Sequence, residues 1–276
     1  MPKSILRIIG SRQAEEIFIR MTMNEGDGLV DHIVLTEHDF THSGHPQPFV
    51  FTETFSDHEV LPEGTHFHYQ TVRIGERVIK NPSRSSELHF NETLTRGSFE
   101  ELFSLDDNDI VIAVDADEVI FRNSLPAIIE RARRDPFRRK WAIPMHQFFY
   151  RMNYLWGGMV FKSAVAGRAR SMRRGATPWR DSRWALKGVH GCHFSWVLQT
   201  REQMLNKIKS YSHALDYGHL ADGDLLDHAV RTKTYPFDPG RPFEIIEMPR
   251  DRAIHFLPAS WSLFSEEVER LVSDRW

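Results

Sequence analysis

Three carboxylates stand within four positions at Asp115-Ala116-Asp117-Glu118, directly after the apolar run Ile110-Val111-Ile112-Ala113-Val114. Such a run reads as a fully buried strand. Its carboxyl end is where open α/β sheets bind their ligands. Three acids at the edge of a core need a positive compensator. A divalent cation is the economical one. Carboxylate oxygens suit Mg²⁺ or Mn²⁺, and these ions bridge one or two protein carboxylates to substrate phosphates. The segment therefore predicts a metal–phosphate site. The plainer reading is an acidic, solvated turn, because a lone Asp-x-Asp is weak evidence. The apolar run and the third acid favour the metal.

The elements around this strand predict an α/β sheet. Ser4–Ile9 reads as a first strand. Ser11 is a plausible helix N-cap, and Ala14, Ile17, Phe18 and Met21 follow at helical spacing with one buried face. Gly26 and Gly28 should stop that helix. His32–Thr36 reads as a second strand leading to Glu37, and Thr65–Val72 as a third. Glu87–Leu105 should be helical, and Ser124 should cap a helix through Arg133. Strand and helix in alternation is the parallel-sheet pattern. Beyond it, Trp141–Tyr150 and Gly158–Ala164 look like strands, and a Gly-, Arg- and Trp-rich loop spans Gly167–Trp184. Thr200–Leu215, Leu225–Arg231 and Ser265–Val272 look helical.

Composition bounds the function classes. The chain has 276 residues, 41% hydrophobic and 26% charged, as expected of a soluble globular domain. A net charge of -3 argues against a nucleic-acid partner. The single cysteine, Cys192, excludes a disulfide framework and a Cys-rich zinc site. No stretch approaches the ~20 apolar residues of a membrane span. The first ten residues read as a strand rather than a signal peptide, so a cytoplasmic location is expected. Two basic runs stand out, Arg131–Arg139 and Arg168–Arg174. The first reads as a solvated helix end. The second lies in a predicted loop, where it is either plain surface or a contact for an anionic substrate.

Four segments together resemble glycosyltransferase family 17, the family of the β-1,4-mannosyl-glycoprotein N-acetylglucosaminyltransferase. The first runs from Val30 to Pro48 and includes Thr41-His42-Ser43-Gly44-His45-Pro46, similar to the family's Thr-His-Ser-Gly-x-Pro loop. The second is Asp115-Ala116-Asp117-Glu118. The third, Gly191-Cys192-His193-Phe194-Ser195-Trp196, resembles the family's Trp-His-x-Ser-Trp stretch. The fourth, Lys207 to His213, resembles its Lys-x-x-Ser-Phe-x-His helix. They fall in family order. Departures are Val119-Ile120 for Ile-Pro, Cys192 for Trp, and Asp216 for Glu. Arg96 is the nearest counterpart of an arginine that the family carries before the acidic strand.

The resemblance implies a single GT-A type domain, with a Rossmann-like nucleotide half over about 1–135 and an acceptor half over about 136–276. It implies transfer of a sugar, N-acetylglucosamine foremost, from a UDP-sugar to a glycan or glycolipid hydroxyl, with Mn²⁺ or Mg²⁺. Such an acceptor would allow a peripheral membrane contact. On this reading Asp117 is the direct metal ligand. Asp115 either shares the metal or accepts from the ribose hydroxyls. Glu118 orients the acceptor or a metal-bound water. Arg96 and Glu37 lie on the nucleotide side, although Glu37 serves equally well as a loop cap. His193 is the candidate imidazole ligand among 15 histidines, with His213 and His255 as competitors. Inverting transfer needs a base, and Asp216, Asp222, Asp224 and Asp227 are available. Trp156, Trp179, Trp184 and Trp196 are candidates for stacking on sugars, or are buried core.

A second enzyme class competes. Asp115 as nucleophile and Asp117 as acid also fit a haloacid-dehalogenase-like, Mg²⁺-dependent phosphatase, with Gly223–Asp227 mimicking its later metal motif. That nucleophile normally lies on the first strand, and the later motif is one residue short. A sugar-binding protein without catalysis is a third reading.

Overall fold

A computed structural model describes residues 2–137, 139–175, 177–197, 200–210, 215, 223–235, 244–249 and 253–272. It is a mixed α/β structure with two mixed sheets. The first sheet has seven strands. Four are parallel and central: β1 (Ser4–Ile9), β2 (His32–His38), β4 (His66–Val72) and β5 (Ile110–Asp115). β3 (His58–Val60) adds antiparallel at one edge. At the other, β10 (Val165–Arg168) runs antiparallel to β5 and carries β7 (Trp141–Ala142). The sheet order is β3-β4-β2-β1-β5-β10-β7.

The second sheet holds β6 (Glu118–Ile120), β8 (Met145–Phe149), β9 (Arg151–Phe161), β11 (Gly191–His193) and β12 (Ile245–Glu247), in the order β12-β9-β8-β11-β6. The expected strand Trp141–Tyr150 is thus two strands in two different sheets. Its break falls at Ile143-Pro144, where proline cannot donate to a ladder. The two sheets do not divide at residue 135, because β6 lies in the second sheet while β7 and β10 lie in the first.

Helix α1 (Glu16–Gly26) explains how the sheets meet. Ile19 and Met23 pack with Leu6, Ile8, Ile33 and Leu35 of the first sheet. Ile17, Phe18 and Met21 pack with Val119 and Phe148 of the second and with Phe194, which follows β11. Phe18 stacks on Phe194 with ring centroids 4.8 Å apart. Apolar side chains on both faces therefore make α1 a buried spacer rather than a surface helix. Ser11 does not cap it. Glu15 instead folds back, accepting from the backbone N–H groups of Ser11 and Arg12. α2 (Ser85–Gly97) is followed by a 3₁₀ turn, Ser98–Glu101, that ends the expected Glu87–Leu105 helix early. α3 (Leu125–Arg134) covers β5 and β10 on one face. On the other face Phe99, Phe103 and Trp179 pack over Ile5, Val34 and Val111, beside the short α4 (Ala169–Met172). α5 (Arg201–Ser210), the helix Gly223–Thr232 and the closing helix Ser265–Val272 agree with the sequence pattern. No helix among the described residues is long and apolar enough to cross a membrane.

Candidate active site

The acidic motif is the crossing between the two sheets. β5 ends on Asp115, Ala116 and Asp117 turn, and Glu118 begins β6. β6 pairs with β11 so that Glu118 lies opposite His193, and the Phe194 N–H donates to the Asp117 carbonyl at 2.7 Å. Two segments far apart in sequence are thereby locked side by side. Above them opens a cavity of about 590 Å³, within the size range of small-molecule sites. Its walls come from the carboxyl ends of β1 and β2, from α2, from the 177–181 turn, from β11 and from α5.

Positive side chains of the protein itself compensate the three acids. Asp115 accepts both Arg96 guanidinium nitrogens, at 2.6 and 2.9 Å, and lies 3.3 Å from Arg180 Nη2. Burial alone would raise its pKa, but Arg180 and Arg96 outweigh this and hold it well below the usual carboxylate range. Glu118 is fully buried under Asp115. It accepts from the Asp115 N–H at 2.8 Å and from Arg180. Burial pushes its pKa up to about 7, against the pull of Arg180. Asp117 accepts from Lys207 Nζ at 2.8 Å. Burial opposes its ionisation, yet Lys207 and His193 outweigh it and lower its pKa.

His193 is buried, stacked on Phe161 at 3.8 Å, and held at Nδ1 by Gln147 Oε1 at 2.7 Å. That bond assigns the proton to Nδ1 and leaves the Nε2 lone pair 3.7 Å from Asp117 Oδ1. Burial lowers the pKa of His193 to about 3, so the ring is neutral, as a ligand must be. Asp117 and His193 therefore fit as the residues that would hold a divalent cation, an oxygen and an imidazole nitrogen, with Gln147 orienting the ring. Asp115 does not fit as a shared ligand, because two guanidiniums already occupy its oxygens. Among the described residues no group of three or more His, Cys, Asp or Glu side chains forms a ready metal cage.

Other expected site residues fall elsewhere. Glu37 is buried and spent on a loop: it accepts from the Val50 and Phe51 N–H groups and from the Tyr69 hydroxyl. It does not line the cavity, so of its two expected roles the loop cap is the one the geometry carries. Glu118 also lies outside the lining, its carboxylate being turned into the core toward Arg180, so it does not reach an acceptor or a bound water. Arg96 does line the cavity, with its guanidinium committed to Asp115 and Glu92. Asp224 is exposed on the helix Gly223–Thr232 and is no part of the lining, and Asp227 pairs with Arg201 at 2.8 Å. Asp216, Asp222 and His213 lie outside the described residues. His255 is exposed, away from the cavity. Trp156 and Trp179 are core, Trp196 is buried with one edge on the cavity, and Trp184 is half exposed.

The sequence reading missed Arg180 and Asp181. Trp179, Arg180 and Asp181 form a strained turn in which Trp179 (φ +60°) and Asp181 (φ +48°) are left-handed. That conformation is a genuine outlier for tryptophan and costs on the order of 1–3 kcal/mol. Burial of the Trp179 ring against Phe99, with centroids 5.0 Å apart, holds it in place. The turn drives Arg180 inward to Asp115 and Glu118 and leaves Asp181 at the cavity mouth, exposed. The Asp181 carboxylate makes no hydrogen bond or ion pair among the described residues, and it interacts electrostatically with Lys140. Strain of this kind marks functional turns.

A cavity at the carboxyl ends of parallel strands, lined by paired cations and acids with an acid–imidazole pair among them, is a layout that suits an α/β enzyme acting on a phosphorylated substrate. Residues 6–228 match the family model described as glycosyltransferase family 17, and the chain belongs to that family. It is a glycosyltransferase, and the family implies a nucleotide-sugar donor. A comparison with curated proteins finds no match. Neither finding supports the phosphatase reading. That chemistry needs Asp115 as a free nucleophile, whereas two arginines hold it.

Proposed function

We propose that the protein transfers N-acetylglucosamine from a UDP-sugar to a glycan hydroxyl, with Mn²⁺ or Mg²⁺ and with inversion, in a GT-A-like arrangement. The observation that carries this reading is the Asp117–His193 pair facing a cavity whose lining includes the cations Arg12, Arg180 and Lys207. Asp117 and His193 would hold the cation, which offsets the charge developing on the departing diphosphate. Arg12, hydrogen-bonded to Ser210 and Glu15, is placed to meet the same phosphates. Asp115 lines the cavity with its carboxylate fixed by Arg96 and Arg180, and in this proposal a ribose hydroxyl donates to it there. Asp181 is the general base of this proposal. It is the acid at the mouth with a free carboxylate, whereas Glu15 and Glu92 are tied to Arg12 and Arg96.

The test is thermal stabilisation by a panel of nucleotide sugars with and without Mn²⁺, on the wild type and on Asp117→Ala. A ligand at a hundredfold over its Kd should add about 2.7 kcal/mol. One UDP-sugar that stabilises only with Mn²⁺, and only when Asp117 is present, is the expected result. No shift with any nucleotide sugar would overturn the reading.

A further inference from the structure

Next to the cavity runs a second, more open groove of about 680 Å³. Thr177 and Asp181 line both, so the groove begins at the cavity mouth, beside the proposed base. Five of its described lining residues are Lys or Arg, and Asp181 is its one acid. The run Arg168–Arg174 supplies part of this charge, and the structure sorts it. Arg168 donates to the Arg133 carbonyl, and Arg173 is paired with Glu100 and Asp107. Arg170 on α4 and Arg174 just beyond its end are exposed, and neither side chain has an acid partner among the described residues. Opposite them Arg183 is exposed, its guanidinium 5.2 Å from the Trp184 ring. Arg139, by contrast, is held by Asp135 at 2.9 Å, and Lys140 donates to the Thr177 and Arg180 carbonyls.

Two aromatic rings share the groove with these unspent cations. Phe137 is 74% exposed and Trp184 41% exposed. The Arg139 guanidinium lies over both, at 4.9 and 5.0 Å, and fixes their positions. Exposed rings offer flat apolar faces of the kind that stack on sugars. Guanidiniums without acid partners recognise phosphate and carboxylate oxygens through paired N–H donors. The two features lie side by side at the place where an acceptor chain would leave the cavity.

We infer that this groove is the acceptor subsite, and that the acceptor is an anionic glycan whose phosphate or uronate group is bound by Arg170, Arg174 and Arg183 while Phe137 and Trp184 carry its sugar rings. This inference rests on the transferase reading and adds the acceptor's chemical class.

The experiment titrates the whole chain with length-matched soluble oligosaccharides, one neutral, one phosphorylated and one uronate-bearing, at low and high salt. Wild type and Arg170→Ser/Arg174→Ser are compared. Both arginines are exposed, so the double variant should keep the wild-type Tm and the wild-type Kd for the nucleotide sugar. At least one charged glycan should bind ~10-fold or more tightly than the neutral one, with the difference shrinking in salt and vanishing in the double variant. Which charged glycan gains identifies phosphate or carboxylate as the recognised group. Equal binding of neutral and charged glycans, or a preference that survives the double variant, would overturn the inference. So would binding to anionic phosphatidylglycerol vesicles that is lost in the variant without any preference among soluble glycans, since the groove would then be a membrane contact. Nucleotide-sugar titration of the same samples separates the two claims. Donor binding without an anion preference removes only the groove, whereas no donor binding removes the transferase mechanism beneath it.

Discussion

At the residue scale, the chemistry rests on which acids are spent and which are free. Asp115, Glu118 and Asp117 are each held by a cation that the sequence places far away: Arg96, Arg180 and Lys207. Burying such charges is tolerable only when they are paired and hydrogen-bonded. Among the described residues the pairing leaves Asp181 as the cavity-lining acid without a cation bonded to it, which is why it is the proposed base. Asp181→Asn should lower kcat by ~100-fold or more, the range a general base supplies, while the Kd for the nucleotide sugar stays unchanged. Steady-state kinetics with separate donor-binding titration check this. A kcat within severalfold of wild type would move the base elsewhere. The Asp-x-Asp acids were legible as a site because their spacing after an apolar strand is local. Asp181 was not, because its role comes from a left-handed turn that only the packing of Trp179 sustains.

At the element scale, the short strand β11 matters most. It carries His193 between β6 and β8, opposite Glu118 and Gln147. Its first residue, Gly191, permits that pairing. A Cβ there would sit 2.4 Å from the Val119 carbonyl oxygen and 3.1 Å from Ile120 Cα. Both are backbone atoms, so the strands themselves must separate. Gly191→Ala should destabilise by about 1–3 kcal/mol, as overpacking does, and should weaken Mn²⁺-dependent donor binding by shifting His193. Urea unfolding and a donor titration give the two readings, and loss of neither would show that β11 does not position the imidazole. Three-residue strands such as β6, β11 and β12 carry too little periodicity to be read from sequence, and they form because long-range partners exist. Longer elements, such as β1, β4 and Ser265–Val272, follow the pattern closely.

At the scale of the whole molecule, the cavity side of the first sheet stores neutral histidines. Burial lowers His38 to about 3 and His42 to about 4, from an ordinary value of 6.5. His38 is bonded to Ser98 at 2.6 Å and His42 to Thr95 at 3.0 Å. The native state therefore binds fewer protons than the unfolded chain below pH 6.5. Their contribution is full above that pH and is lost as pH falls toward 4. Between pH 6.5 and 4.5 each should cost on the order of 2–3 kcal/mol, two pKa units at 1.36 kcal/mol each. Glu92, lowered to about 2 by Arg96 and His42 against the effect of burial, adds to the loss below about pH 4.5. Denaturant unfolding across this range should show a steep acid decline, and a shallower one in His38→Gln. An identical slope in that variant would remove His38 as a cause.

The sequence by itself determined the strand that ends in Asp115, the ligand pair Asp117 and His193 as candidates, and the family, because each is carried by a contiguous motif whose meaning is local. The tertiary structure decided how the charges are used. Whether an acid binds metal, pairs with arginine or stays free depends on which distant cation reaches it through the core. Arg180, Lys207 and the division of the Arg168–Arg174 run were settled by sheet pairing, by a strained turn and by burial, which act between residues far apart in the chain. Coulombic pairing in a buried site falls off over a few ångströms, and distances on that scale exist only once the chain has folded.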